Sequence, residues 1–294
     1  MIPHPIPYQG SKRRLAADIL RHAPRRARRL IEPFAGSAAL TLAAAARDLA
    51  AEYVVADRLA PLVELWRGIV ADPDAVAGGY RALWGAQRGD PAAHYLAVRA
   101  RFNRSGDPAA LLYLLARCVK NAVRFNADGA FNQGADHRRR GMHPDRMARQ
   151  LAGASRLLRG RFRAVAADYA DVLADAGPRD LVYVDPPYQG VSGARDRRYV
   201  APLDLDRFVA ELDRLNARGV PYLVSFDGRC GDRHYGEPLP RALGLRRVAL
   251  AAGRSAQSTL TGREEHTVES LYVSPAARLA MRLPVDASLA SLTS

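Results

Sequence analysis

Residues 181–190 read LVYVDPPYQG. Four strand-forming residues run into an acid, two prolines and a tyrosine. The LVYV segment is nearly all apolar, the texture of a parallel strand covered on both faces. Asp185 then falls at the carboxyl end of that strand, where open α/β sheets bind their ligands. Pro186 and Pro187 restrict the backbone and bring no N–H groups, so the carbonyls of Asp185 and Pro186 face no local competing donor. Tyr188 adds a flat ring. A carboxylate, a fixed carbonyl and a stacking face together suit a planar ring bearing an NH2 group: the two acceptors take both amino hydrogens while the ring stacks. The plainer alternative is a strand end closed by a rigid turn.

Working outward, the same alternation of strands and helices recurs on both sides. ARRLIEPFAGSAAL (residues 27–40) reads as a strand, a Gly/Ser turn and a helix, and AEYVVAD (51–57) as a second strand ending in Asp57. This order is the first half of a doubly wound α/β sheet. RLAADILRHA (14–23) has the spacing of an amphipathic helix. Downstream, RFRAVAADY, DLVYVDPPY, VPYLVSFDG, LRRVALAAG and TVESLYVS are strand candidates, and LDRFVAELDRLNARG is a helix with a glycine stop. Between residues 59 and 163 helical patterns dominate, broken by VRFNADGAFNQGADHRRRGMHP, in which Asn-Ala-Asp-Gly is a hairpin turn. The expected organisation is an α/β domain of residues 1–58 plus 164–294, interrupted by a basic helical insertion at 59–163. The tail ARLAMRLPVDASLASLTS carries no pattern.

The 294-residue chain is long enough to bury a large core, and its 48% hydrophobic and 25% charged residues are ordinary for a globular protein. No apolar run reaches the roughly 18 residues of a membrane span. MIPHPIPYQGSKRRL lacks a signal-peptide core, so an intracellular protein is expected. Cys118 and Cys230 stand alone, offering neither a disulfide framework nor a zinc site, and the seven histidines show no ligand spacing. The net charge of +14 favours a polyanionic partner, nucleic acid being the usual one. An arginine-rich composition is the competing explanation.

Gly36 permits a close backbone approach in the turn after the first strand. Asp57, at the end of the next strand, can hold two ribose hydroxyls. Ser37, Ala38 and Ala39 follow Gly36, so the pyrophosphate fingerprint is missing, and no P-loop occurs. A nucleoside cofactor without phosphates fits better than NAD or ATP.

At this point a family resemblance emerges. The chain resembles the Dam-like (D12 class) DNA adenine-N6 methyltransferases, with the matching segments in the family's order over nearly the whole length. PYQGSKRRL resembles the N-terminal cofactor motif through Tyr8, Gly10 and Lys12. EPFAGSAAL resembles the F-x-G-x-G segment through Glu32, Phe34 and Gly36, followed by Ser37. VVADR matches the segment with the ribose-binding acid, Asp57, and AADYADVL the segment lining the cofactor adenine, through Asp168 and Tyr169. DPPY is the catalytic motif, Asp185, Pro186, Pro187 and Tyr188. VRFNADGAFNQG is similar to the DNA-reading hairpin, and EEHTVESLYV resembles the C-terminal strand. Two departures stand out. The second glycine of F-x-G-x-G is Ala38, and the Tyr-Asn-Gly ahead of the hairpin is Val119, Lys120 and Asn121, so the resemblance does not extend to the recognition sequence.

The resemblance implies a Rossmann-like S-adenosylmethionine-dependent methyltransferase sheet with an inserted, mainly helical target-recognition lobe. It implies site-specific methyl transfer from S-adenosyl-L-methionine to N6 of a flipped adenine in double-stranded DNA, either beside a separately acting restriction endonuclease or alone. Asp185 and the Pro186 carbonyl would accept the two N6–H bonds, Tyr188 would stack on the base, and Asp185 would also face the cofactor. DNA contacts fall to Arg117, Lys120, Asn121, Arg124, Asn126, Asn132, Arg138, Arg139 and Arg140, with Arg124 suited to a guanine edge. No metal, no membrane and a monomer in a prokaryotic cytoplasm complete the expectation. RNA adenine methylation and a catalytically silent DNA-binding protein are the alternatives.

Overall fold

The apolar runs of the sequence become strands of one sheet. A computed structural model of the chain describes residues 1–187, 203–231, 233–254 and 266–282. Among these, β1 (Ala27–Glu32), β2 (Ala50–Asp57), β3 (Phe162–Ala166), β4 (Leu181–Val184), β5 (Tyr222–Cys230), β6 (Arg233–Tyr235), β7 (Arg246–Arg254) and β8 (His266–Val273) form a sheet in the order β3-β2-β1-β4-β5-β8-β7, with β6 paired to β5. The pairs β2–β3, β1–β2, β1–β4 and β4–β5 are parallel, whereas β8 runs antiparallel to both β5 and β7. The chain builds outward from β1 to β3, then returns to lay β4 on the other side of β1. That reversal creates a switch point at the carboxyl ends of β1 and β4, the crevice where such sheets bind ligands.

Side-chain alternation divides the core between two faces. Leu30, Tyr53, Val55, Tyr183, Leu223 and Leu271 bury against α2 (Ala39–Ala45), α3 (Ala60–Ala71) and α7 (Pro144–Leu158). Their neighbours Ile31, Val54, Val182, Val184 and Tyr222 point the other way, against α8 (Tyr169–Ala174) and α9 (Leu205–Ala217). Between β2 and β3 the chain also carries α4 (Pro73–Ala86), α5 (Pro91–Ser105) and α6 (Pro108–Arg117), whose Tyr80, Tyr95 and Tyr113 continue the apolar cluster that begins on the first sheet face. Asp72, Asp90 and Asp107 each accept a backbone N–H at the start of α4, α5 and α6, with proline in the first turn. The Asp-Pro pairs are thus helix starts: the acid satisfies an orphan donor and the proline needs none.

Three local expectations are corrected. Residues 14–23 turn helically with an apolar face as expected, but not as one regular α-helix: α1 (Ala16–Ile19) is preceded and followed by 3-10 turns at Lys12–Arg14 and Leu20–His22. Pro24 forces Ala23 into an extended conformation, φ −90° and ψ 153°, which stops any helix there. The strand read through Tyr169 ends at Ala166, because Asp168 accepts the Ala170 N–H and begins α8. The apparently featureless tail opens with α10 (Pro275–Ala280), capped by Ser274.

Candidate active site at the sheet switch point

Asp185 directly follows β4, and its carboxylate lies on the first sheet face. Lys12, from the segment before α1, sets its Nζ 2.8 Å from Asp185 Oδ1 and 3.5 Å from Glu269 Oε2 of β8. Lys12 is only 7% exposed. Burial pushes the Asp185 carboxyl up to about 6; Lys12 opposes that rise and the charge of Glu269 adds to it. Pro186 is buried beside it. Tyr188, the last residue of the motif, lies outside the described residues.

Glu32 ends β1 on the same face. Its Oε2 accepts both the N–H and the hydroxyl of Thr41, at 3.0 and 2.6 Å, which fixes α2 to the strand. Burial drives this carboxyl up to about 8, against the Thr41 hydrogen bonds. Glu32 therefore braces the turn as a neutral acid at pH 7.

The turn after β1 is held from four sides. Gly36 takes φ +47°, and a Cβ there would meet the Tyr8 ring at 3.0 Å. The Gly36 carbonyl accepts the Trp66 indole N–H at 3.0 Å, and its N–H donates to Asp57 Oδ2 at 3.3 Å. Asp57 Oδ1 accepts Leu59 N–H at 3.0 Å; burial raises its carboxyl, and the backbone donors oppose that rise. The Ser37 hydroxyl donates to Ser11 at 2.8 Å. Tyr8, Lys12, Glu32, Gly36, Ser37, Asp57 and Asp185 are thereby brought to one crevice.

Across the strand ends, on the second face, Phe34 stacks on Tyr169 with ring centroids 5.2 Å apart. The Tyr169 hydroxyl is buried without a hydrogen-bond partner among the described residues. Arg207 lies 5.3 Å over the Tyr169 ring and donates to Asp168 Oδ1 at 2.8 Å. The edge expected to take an adenine is thus a ring pair flanked by an acid and a guanidinium.

The insertion presents a narrow hairpin. Phe125 and Phe131 bridge antiparallel, Asn126 N–H donates to the Ala130 carbonyl at 2.9 Å, and Asn132 N–H to the Arg124 carbonyl at 3.0 Å. Asn103 of α5 pairs with both backbone groups of Phe131, and Phe102 adds a ring against Phe125 and Phe131. Arg124 is half-buried, whereas Asn126 and Asn132 are exposed. At the hairpin's base, Arg139 donates to Asp136, to Asn121 Oδ1 and to the Cys118 carbonyl. Lys120, Arg138 and Arg140 are exposed. Arg117 is a correction: it is 3% exposed and gives its Nη1 to the Asp136 carbonyl at 3.1 Å, so it is a strut of this loop with no surface to offer DNA. The Gln9 N–H donates to the Asn121 carbonyl at 3.0 Å, tying the hairpin's base to the segment that carries Tyr8 and Lys12.

The D12 class N6 adenine-specific DNA methyltransferase family model matches residues 8–208. The chain belongs to this family. Among curated proteins it is 28% identical to the Retron Ec67 DNA adenine methylase of Escherichia coli over 226 residues, covering 75% of each chain. It is 26% identical to a DNA adenine methylase of Vibrio cholerae over 230 residues, and 28% identical to that of Escherichia coli K12 over 229, covering 75% of this chain and 79% of each relative. The Rossmann-like methyltransferase fold expected from the sequence is the fold observed.

For this D12-class chain, several residues of the crevice escaped sequence reading. Thr41, Trp66 and Arg207 hold the motif residues from elements that carry no motif of their own, and Ser11 does so from within the N-terminal motif without having been singled out. Glu269 had a usable signal. On β8 it shares a face with buried Leu271 and Val273, and an acid at an inward-facing strand position needs a partner. It also lies beyond residue 208, where the family match ends. Among the described residues no group of three or more His, Cys, Asp or Glu could hold a metal ion, and no helix is long and apolar enough to cross a membrane.

Proposed function

We propose that this chain transfers a methyl group from S-adenosyl-L-methionine to N6 of an adenine in double-stranded DNA. The observation that carries the reading is the Asp185 carboxylate at the carboxyl end of β4, ion-paired with Lys12 at the switch point where β4 is laid beside β1. The crevice fits a nucleoside cofactor. The Gly36 turn brings backbone against the Tyr8 ring, Asp57 offers a carboxylate at the next strand end, and Phe34, Tyr169 and Asp168 offer an aromatic edge with an acceptor. Bound S-adenosylmethionine would supply a methyl already activated by its sulfonium. Tyr8, Gly36, Asp57, Asp168 and Tyr169 would hold the cofactor.

The exocyclic nitrogen of adenine is a poor nucleophile, because its lone pair is delocalised into the ring. The ionised Asp185 side chain and the Pro186 carbonyl accept its two N–H bonds, draw the nitrogen toward tetrahedral geometry and aim the lone pair. Asp185 Oδ then holds the proton that N6 releases, and an acid poised near 6 passes it on to water. With Glu32 neutral, Lys12, Asp185 and Glu269 carry a net single negative charge, which favours a cationic methyl donor. The adenine must leave the duplex to reach Asp185. Lys120, Arg124, Asn126, Asn132, Arg138, Arg139 and Arg140 are the DNA-contacting candidates on the hairpin and its base; a DNA substrate supports work on the chromosome in the cytoplasm. The reading holds with or without a cognate nuclease.

The test is methylation-sensitive sequencing of DNA from a methylation-free host expressing either the wild-type chain or Asp185→Ala. N6-methyladenine in one short motif is expected from the wild type and none from the variant. Unmodified DNA from folded wild-type protein that binds S-adenosylmethionine would sink the reading, and so would an active Asp185→Ala.

A further inference from the structure

The methyl-transfer reading uses Asp185 and leaves Glu269 without a role. Glu269 faces the site by the regular alternation of β8, on the face of Leu271 and Val273, next to an irregularity in β5. Ser225 of β5 is opposite Leu271 of β8, but Gly228 is opposite Glu269, so β5 carries one extra residue between them. Gly228 has no side chain to keep the strands apart: a Cβ there would lie 2.7 Å from the Val268 carbonyl oxygen. Such a bulge re-aims side chains beside a functional site. Beside it Glu269, 20% exposed, sets Oε2 3.5 Å from Lys12 Nζ, while Lys12 lies 2.8 Å from Asp185. One nearly buried ammonium is divided between two carboxylates from different strands.

We propose, on the methyl-transfer reading, that Glu269 is a positioning residue of the adenine site: it draws part of the Lys12 ammonium to itself, so that Lys12 holds Asp185 Oδ1 at 2.8 Å without taking both carboxylate oxygens and the remaining acceptor lone pairs stay open to the amino group of the base. A lysine held by Asp185 alone would occupy those lone pairs and compete with the substrate. The charged or titratable groups facing Asp185 among the described residues are Lys12 from the segment before α1, Glu269 from β8 and Glu32 from β1. Glu32 is spent on Thr41, so Glu269 is the group that sets how Lys12 is shared.

Glu269→Gln removes a negative charge that disfavours ionised Asp185 and leaves the charge of Lys12 to Asp185 alone. Ionisation of Asp185 must then shift to lower pH. The experiment follows the Asp185 carboxyl directly by 13C NMR of the full chain, and in parallel the pH profile of kcat, in wild type, Glu269→Gln and Glu269→Asp. The Gln variant is expected to titrate at lower pH and to move the acid limb of kcat the same way. Its plateau kcat should fall by roughly 10-fold, the cost of a displaced acceptor, with KM for cofactor and DNA little changed. The Asp variant keeps the charge and should keep the wild-type limb. An active enzyme whose Asp185 titration and limb do not move in Glu269→Gln overturns the proposal. So does a loss of activity that only tracks the folded fraction. If the NMR titration moves but the wild type does not methylate adenine, the electrostatic coupling stands and the methyl-transfer reading fails.

Discussion

Two residues near the first strand end carry consequences for stability. Glu32 folds with its carboxyl raised by burial from 4.5 to about 8. A raised acid loses stability for the fold across the window where the unfolded chain ionises and the folded one does not. The penalty is absent below 4.5, grows as pH rises, and levels off above about 8. Glu32→Gln keeps an oxygen for both Thr41 donors and removes the titration. Its stability relative to wild type should therefore increase with pH over that window, by at most about 1.4 kcal/mol per pH unit, as read by denaturant unfolding across pH. A relative stability independent of pH would show that Glu32 is not buried as an acid. Ala38 poses a different test. It stands where the family has a glycine, at φ 45° and ψ 40°, fully buried. The left-handed conformation costs about 1–2 kcal/mol, and releasing it offsets the lost methyl and the freer unfolded chain, about 0.8 and 0.4–1 kcal/mol. Ala38→Gly should be close to neutral, whereas Ala43→Gly in the buried middle of α2 should cost about 2 kcal/mol. Equal unfolding midpoints for the two variants would contradict this.

Elements differ in how they are held. The capped helices of the insertion are fixed locally by their Asp-Pro starts. The turn between α6 and the hairpin is instead forced into place. Lys120 and Asn121 take φ 57° and 52° in succession, and only asparagine tolerates this readily. The pair is kept by Asn121 Nδ2 on the Leu115 carbonyl at 2.8 Å, by Arg139 on Asn121 Oδ1 at 3.1 Å and by Gln9 on the Asn121 carbonyl at 3.0 Å. Backbone strain of this kind marks segments where function sets the conformation. Lys120 is exposed there, so its value lies in its charge. Lys120→Gly should raise stability by about 0.5–1 kcal/mol by relieving the strain. It should also weaken DNA binding and lower the slope of log affinity against log salt by about 1. Calorimetry and salt-dependent binding would check both, and an unchanged salt slope would remove Lys120 from the DNA interface.

For the whole molecule, the crevice is assembled from separate parts of the chain: Tyr8 and Lys12 from the start, the β1 turn, Asp57, Asp168, Asp185 and Glu269. A ligand that binds there links them all. S-adenosylmethionine at a hundredfold excess over its dissociation constant should stabilise the full chain by about 2.7 kcal/mol, measurable as a thermal shift. Asp57→Ala should lose most of that gain at the same concentration. An undiminished shift would place the cofactor elsewhere.

The reach of the sequence follows from the range of the forces involved. Strand alternation, Asn-Ala-Asp-Gly at the hairpin, and acids at the ends of β2 and β4 are readable because period and turn chemistry act over a few residues. That is why Asp57 and Asp185 stood out before any fold was known. Arg117 misled for the complementary reason: its burial against the loop that carries Asp136 depends on what packs where. The Lys12–Asp185–Glu269 cluster is the clearest case. The sequence by itself determined a doubly wound sheet, its switch-point acid and its family. Only the tertiary structure decided that β8 inserts beside β5, that this brings the inward-facing Glu269 to Lys12, and that a single buried lysine lies between two carboxylates. Strand order and register are settled by the packing of the whole sheet, and no local stretch encodes them.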